Sequence, residues 1–178
     1  MLYALPKITY NKKLSTNILT RADIIRSLLV KYKIFFDYVV KDGEMPDTIA
    51  YDYYGQSKYE WLVCIVNNIY DIHSDWLKDT NQFYSYLKSK YESIPYTKIT
   101  THHYEYTGIG GNNSIDIARR NWKMTPKTYD TLDEIEKSGW TAVTIHEEEF
   151  RLNEAKRNIK LISNEYLKQI DRELRDLF

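Results

Sequence analysis

Hydrophobic residues fall along this chain in short runs whose spacing switches between the alternation of a strand and the three- or four-residue step of a helix. Phe35–Val40 is aromatic and β-branched, the composition of a strand, and the turn Lys41-Asp42-Gly43-Glu44 ends it. Pro46 suits the first turn of a helix, where its missing N–H costs nothing, and Gly55 suits a left-handed stop behind that helix. Ser57 is placed to cap a second helix, on which Trp61, Leu62, Ile65 and Val66 form an apolar stripe, and Asn67-Asn68 is placed to end it. Trp61, Ile49 and Leu62 are the expected core of this segment.

The flanks are less regular. Met1–Leu19 has no sustained periodicity and reads as an extended arm of the kind that orders along a neighbour. Thr20-x-x-Asp23 resembles a capping box and opens a helix over Arg21–Val30, with Ile24, Ile25, Leu28 and Leu29 on one face. Asp79-x-x-Gln82 is a second helix start, with Phe83, Leu87 and Tyr91 at steps of four and Lys78, Lys88 and Lys90 solvated; Pro95 ends it. Tyr96–Tyr106 alternates weakly, as a strand would, and Gly108–Asn113 is a loop. Thr128–Lys137 reads as a short helix stopped by Ser138-Gly139, and Trp140–Ile145 as a strand. Phe150 with Leu152, and Ile159 with Leu161, alternate around a turn at Asn153–Lys156. That pattern favours a hairpin, though the Glu and Arg content of Glu147–Arg157 also suits a helix.

Ser163 or Asn164 then caps a final helix carrying Leu167, Ile170, Leu174 and Leu177. Its apolar stripe needs a cover, either the hairpin beside it or a groove on another protein. The fold class is α+β, in three regions: an N-terminal arm and helix (1–31), a strand-helix-helix core (32–92) and a C-terminal extension ending in hairpin and amphipathic helix (93–178).

Composition narrows the partners. The 178 residues carry 25 Lys plus Arg against 25 Asp plus Glu, so no basic excess points to nucleic acid. The longest apolar runs fall far short of a membrane span, and Lys7, Asn11, Lys12 and Lys13 interrupt any signal-peptide stretch. The single cysteine, Cys64, sits on an apolar helix and is expected to be a buried, inert thiol. The expectation is a soluble protein made in a reducing compartment, without membrane or nucleic-acid partners. Seventeen tyrosines against five phenylalanines are unusual. Tyrosine buries a ring and keeps a hydroxyl at the edge, which suits wet core margins and protein interfaces. Several are expected to face another protein.

No catalytic constellation emerges. His102-His103-x-Glu105 has metal-ligand residue types, but adjacent residues on a regular strand point to opposite faces, and no third ligand has supporting spacing. Glu147-Glu148-Glu149 is a candidate carboxylate pair that reads better as a solvated charge run. Gly108-x-Gly110-Gly111 lacks the Lys-Ser/Thr of a phosphate loop. No catalytic, cofactor-binding or metal-ligating residue is expected, and no enzyme.

Two resemblances add to this. Tyr38-x-Val40, Asp42-Gly43, Asp47-Thr48-Ile49-Ala50, Tyr54-Gly55, Trp61-Leu62 and Asn67-Asn68 together resemble a LysM module, which implies glycan binding (peptidoglycan or chitin) or a packing role. The usual closing Gly-x-x-Leu-x-Ile-Pro segment is missing here, and with it half the glycan groove; Tyr70–His73 is the segment left to pair with the first strand. The whole chain, apart from Tyr96–Trp122, is similar to the small baseplate wedge proteins of contractile-tailed, T-even-type bacteriophages, the gene-product-fifty-three type. The residues carrying this are Met1-Leu2-Tyr3-Ala4, Asp42-Gly43-Glu44-x-Pro46-Asp47-x-Ile49-Ala50, Asp52-Tyr53-Tyr54-Gly55, Tyr59-x-Trp61-Leu62-Val63, Asn67-Asn68-Ile69-Tyr70-Asp71 and Leu152-Asn153-Glu154-x-Lys156-Arg157-x-Ile159-x-Leu161-Ile162. The resemblance implies a structural role in the virion, with the other baseplate wedge proteins as partners and assembly in the host cytoplasm.

Overall fold

A computed structural model of the chain describes residues 7–10, 12–17, 34–108, 119 and 121–176, with side chains through residue 173. Strands β1 (Lys7–Tyr10), β2 (Lys13–Thr16) and β3 (Phe35–Val39) come first, then helix α1 (Pro46–Tyr54). A 3-10 turn (Ser57–Tyr59) leads into α2 (Glu60–Val66), followed by α3 (Ile72–Asp75), α4 (Thr80–Tyr91) and α5 (Ile94–Ile99). Next come β4 (Thr101–Tyr106), β5 (Lys123–Met124), α6 (Pro126–Tyr129), α7 (Glu134–Lys137) and β6 (Trp140–Thr144). The chain continues with α8 (Ile145–Ala155), β7 (Asn158–Ile162), a 3-10 turn (Asn164–Tyr166) and α9 (Leu167–Asp176). The class is α+β, in two compact units: Met1–Leu77 with Lys156–Phe178, and Lys78–Ala155.

The first unit is organised by β3 and β7, which pair antiparallel with Phe35 opposite Ile162 and Val39 opposite Asn158. Pro46 sits at the start of α1, and Gly55 ends it at φ 75, donating its N–H to the Tyr51 carbonyl. Only a residue without a side chain takes that left-handed conformation freely. Ile49, Ala50, Leu62 and Val63 from the two helices are at most 1% exposed and meet Leu161 and Ile162 of β7 in one core. Trp61 is half-buried at its margin. The outer edge of β7 is closed by side chains: the Asn67 amide donates to the Lys160 carbonyl (2.9 Å) and accepts from the Lys160 N–H (2.8 Å), as a neighbouring strand would. The Tyr54 hydroxyl accepts from the Ile162 N–H at 3.0 Å.

The turn after β3 is tied down at both ends. Arg157 donates to the Val40 carbonyl (2.9 Å) and pairs with Asp42 (2.8 Å). Glu44 accepts from the Lys41 N–H (2.8 Å) and from the Tyr38 hydroxyl (3.1 Å), while the buried Trp76 indole donates to its carbonyl at 2.7 Å. Burial of the Glu44 carboxyl raises its pKa, but these hydrogen bonds and the Lys41 ammonium outweigh that and hold it below the ordinary value.

The second unit packs α4, α5 and α8 with a three-stranded antiparallel sheet of order β5-β4-β6. The Asp79–Gln82 capping box forms as the spacing predicts, with Gln82 N–H on Asp79 at 2.8 Å and Asp79 N–H on Gln82 at 3.3 Å. Phe83 and Leu87 are buried, and Tyr91 and Tyr86 turn their hydroxyls to Glu149 of α8 at 2.6 and 3.2 Å. Lys90 joins the same carboxylate at 2.7 Å.

Several expectations change. The segment Tyr70–His73 is not the strand that pairs with β3; it leads into α3, where Asp71 caps the His73 N–H. β7 takes that place, because its Ile159, Leu161 and Ile162 supply the apolar face that Tyr70 and His73 lack. The expected hairpin over 150–161 is instead helix α8 followed by β7. A capping box between Thr144 and Glu147 (2.7 Å and 3.2 Å) starts the helix, and Phe150 and Leu152, whose alternation favoured a strand, are both about half exposed. Ser57 does not cap α2 but opens the 3-10 turn. Pro95 opens α5 as well as following α4, so 94–99 is helical and only Thr101–Tyr106 is strand. The helix expected over Thr128–Lys137 is two single turns, α6 and α7, capped by Thr125 and Asp133. The arm holds a hairpin, β1–β2, turning through Lys12 at φ 60. The helix expected over Arg21–Val30 and the loop beyond Gly108 lie outside the described residues. The last helix begins after Ser163, which caps the preceding turn, and its Leu167 and Ile170 pack on the core of the first unit.

Leu62→Ala should therefore lower unfolding free energy by about 2–5 kcal/mol, the range for emptying a buried leucine site. Gly55→Ala, whose new methyl meets no atom within 4 Å, should cost only the left-handed backbone term of about 1–2 kcal/mol. Urea unfolding followed by tryptophan fluorescence measures both.

Glu44 sets a pH dependence. Its folded pKa lies below the unfolded value, so its stabilisation is fully present above the ordinary Glu pKa of about 4.3 and is lost as pH falls below that through the folded pKa. Glu44→Gln should flatten the acid limb of a stability–pH curve in that window and leave its slope near neutrality unchanged.

Candidate functional site

The exposed apolar surface of the first unit is concentrated on small elements. In the β1–β2 hairpin Ile8 lies opposite Ser15, Tyr10 opposite Lys13 and Leu14 opposite Thr9. Strand alternation places Ile8 and Tyr10 on one face and Leu14 on the other. Their exposures are 44%, 73% and 69%, so both faces are wet. Phe36 and Val39 on β3 and the rings of Tyr51 and Tyr70 are exposed as well. Among the described residues no strand pairs with the far edge of β3.

Two groups stand out among the tyrosines. Tyr38, Tyr59, Tyr86 and Tyr91 send their hydroxyls to carboxylates, Tyr59 to Asp171 of α9 at 2.8 Å, and Tyr54 takes a backbone N–H. These are margins of the two cores. Tyr10, Tyr51, Tyr70 and Tyr96 are exposed and are the surface available to a partner.

Among the residues with chemical potential, the histidines and the glutamate run depart from expectation. Cys64 is half-buried, and burial with the Glu60 charge pushes its thiol up to about 11, so it stays protonated at neutral pH. The run Glu147-Glu148-Glu149 is solvated only in part: exposed Glu147 accepts from Thr144, while half-buried Glu148 pairs with Arg151 and Lys123 and Glu149 holds Lys90. No signal in the run itself marks this; the helical register of α8 does, by turning each carboxylate toward a different neighbour.

His102 and His103 do not point apart. Thr101 pairs with Thr144 but His103 pairs with Val143, so β4 bulges by one residue at His102. The bulge brings the two rings to 5.1 Å between centroids, at an interplanar angle of 85°, with their Nδ1 atoms 2.9 Å apart. His103 is buried, and its Nε2 lies 3.0 Å from Glu105, which also receives Arg151 at 2.7 Å and Lys123 at 3.3 Å. One ring nitrogen of each histidine and a carboxylate oxygen of Glu148 lie within 4.8 Å of one another. Helix α8 supplies the third group that sequence spacing did not offer.

Among the described residues no helix is long and apolar enough to cross a membrane. No curated protein sequence matches the chain. The family model of base plate wedge protein 53 matches residues 7–175 of the 178, a span that takes in both units, the hairpin and nearly all of α9. The chain belongs to the base plate wedge protein 53 family and is a structural protein of the bacteriophage tail baseplate.

Proposed function

We infer that this protein joins wedge subunits as the baseplate assembles, and that it does so without catalysis, through protein surfaces alone. The observation that carries the reading is the β1–β2 hairpin. A two-stranded ribbon is marginal in water unless one face is covered, and this one exposes Ile8, Tyr10 and Leu14. Covering them with another wedge protein removes that apolar area from water. The exposed Tyr51 and Tyr70 extend the contact on the first unit. The C-terminal helix is assigned to a lesser role, because Leu167, Ile170 and Asp171 are engaged by its own unit. Nucleic acid and membranes have no place in this reading.

The LysM likeness is kept as the description of a packing unit. What supports it is the order β3, α1, α2 and an antiparallel partner strand, with β7 as that partner and residues 78–155 inserted before it. Glycan binding is the competing use of such a unit, and retention on insoluble peptidoglycan, saturable and competed by soluble fragments, would favour it.

The test is a surface variant, Tyr10→Asp with Leu14→Asp. Both side chains are exposed, so the free protein should melt within a degree or two of wild type, about the shift expected for surface changes. Co-expressed with the other wedge proteins, it should fail to elute with them on size exclusion. Normal co-elution would show that the hairpin is not the contact.

A further inference from the structure

We propose that His102, His103 and Glu148 form a three-ligand site for a divalent transition metal of the zinc type, bridging strand β4 to helix α8. Two imidazoles and one carboxylate are the donor set such ions take, with the fourth position left to water or to a group from a partner. The bulge at His102 is what makes the site, since a regular strand would place the rings on opposite faces.

The hydrogen-bond network already prepares the ligands. Glu105 lies 3.0 Å from His103 Nε2 and also meets Arg151 at 2.7 Å and Lys123 at 3.3 Å, so among these donors it serves as the acceptor. Nε2 therefore carries the proton, and Nδ1 presents a lone pair. A carboxylate on the far nitrogen of a metal-binding histidine is the arrangement that fixes ring orientation and raises ligand basicity. His102 Nδ1 then donates to His103 Nδ1 across 2.9 Å in the metal-free chain. On metal binding the His102 proton would move from Nδ1 to the other ring nitrogen, which frees both Nδ1 atoms to serve as ligands. Glu148 completes the set from α8.

The competing charges are placed to yield. Lys123 is 49% exposed and pairs with Glu148 at 3.5 Å, so a dication displaces it into water easily. Arg151 bridges the Glu105 and Glu148 carboxylates through its two terminal nitrogens, so it keeps Glu105 behind His103 and holds one Glu148 oxygen, and the ion takes the other oxygen, which Lys123 vacates. Such an ion would fasten α8 to the central strand of its sheet, as structural metals do in small units.

The experiment uses the full-length chain without a histidine tag. Calorimetric titration with zinc chloride should show one ion per chain, and cobalt chloride should give the visible absorption of a tetrahedral site. His102 is exposed, so His102→Ala leaves the metal-free fold intact; it should weaken zinc binding by more than about tenfold and abolish the cobalt band. Glu148→Gln should do the same, and Glu105→Gln should weaken binding by about 10–100-fold, as loss of an outer carboxylate does elsewhere. His73→Ala, on α3, should change nothing. Zinc should also raise the melting temperature of wild type and not of His102→Ala. Wild-type protein that takes up no zinc, or that binds it as tightly after His102→Ala, would overturn the site.

Discussion

The pairing of β3 with β7 is the constraint on which the first unit depends. It joins residues 35–39 to 158–162, so a loop containing the whole of Lys78–Ala155 closes when it forms. Loop-closure entropy grows only slowly with length, and a pairing this distant is therefore affordable once its apolar face is buried. Ile159, Leu161 and Ile162 provide that face, against Ile49, Leu62 and Val63 from the two helices. Both ends of the insertion are pinned within their own units. Lys156 donates to the Ser74 carbonyl in the first unit. In the second, the buried Asn153 amide takes the Lys78 N–H (3.0 Å) and donates to the Lys78 carbonyl (2.9 Å).

Two asparagine side chains thus stand in for strands. Asn67 closes the edge of β7 and Asn153 closes the backbone at Lys78, each meeting one residue's N–H and C=O together. A primary amide matches the donor–acceptor spacing of a peptide, so it satisfies an edge without extending the sheet. The tyrosines act in the same economy of polar groups. Rings enter the core margin while hydroxyls reach Glu44, Asp171 or Glu149, and no buried hydroxyl among these is left unmet. This is how a chain with seventeen tyrosines and few phenylalanines builds two cores from 178 residues.

Local signals were legible in the sequence where one residue type has one physical use. Pro46, Gly55 and the Asp79–Gln82 box appear where their chemistry places them. The errors came from tertiary choices. The partner of β3 is set by which segment carries an apolar face toward Leu62 and Val63, and Asn158–Ile162 does so from a position more than a hundred residues away in the chain. At Phe150 and Leu152 alternation misled because neither side chain is buried, and the Thr144–Glu147 box, a helix signal in plain view, outweighs it. The polar cluster was half legible. The histidines stood out by type, but their convergence required a bulge in β4, and the third group arrives from a helix more than forty residues on, a distance that spacing rules do not span.

The distribution of buried and exposed apolar side chains explains why such a chain suits assembly. The core around Leu62 is closed and densely packed, so the first unit has little to gain by rearranging when it binds. The hairpin is the opposite case: it has backbone pairing and no core, and its apolar side chains Ile8, Tyr10 and Leu14 are all exposed. Placing the unmet burial on a small ribbon and not on the core separates folding from assembly. On the proposed reading, association would draw on apolar area that the packing of the first unit leaves exposed. Because that area is small and split between two faces, a single partner on one face leaves either Leu14 or the Ile8–Tyr10 pair in water. Burying all three side chains would therefore need contacts on both faces of the ribbon, which the proposed joining role would supply.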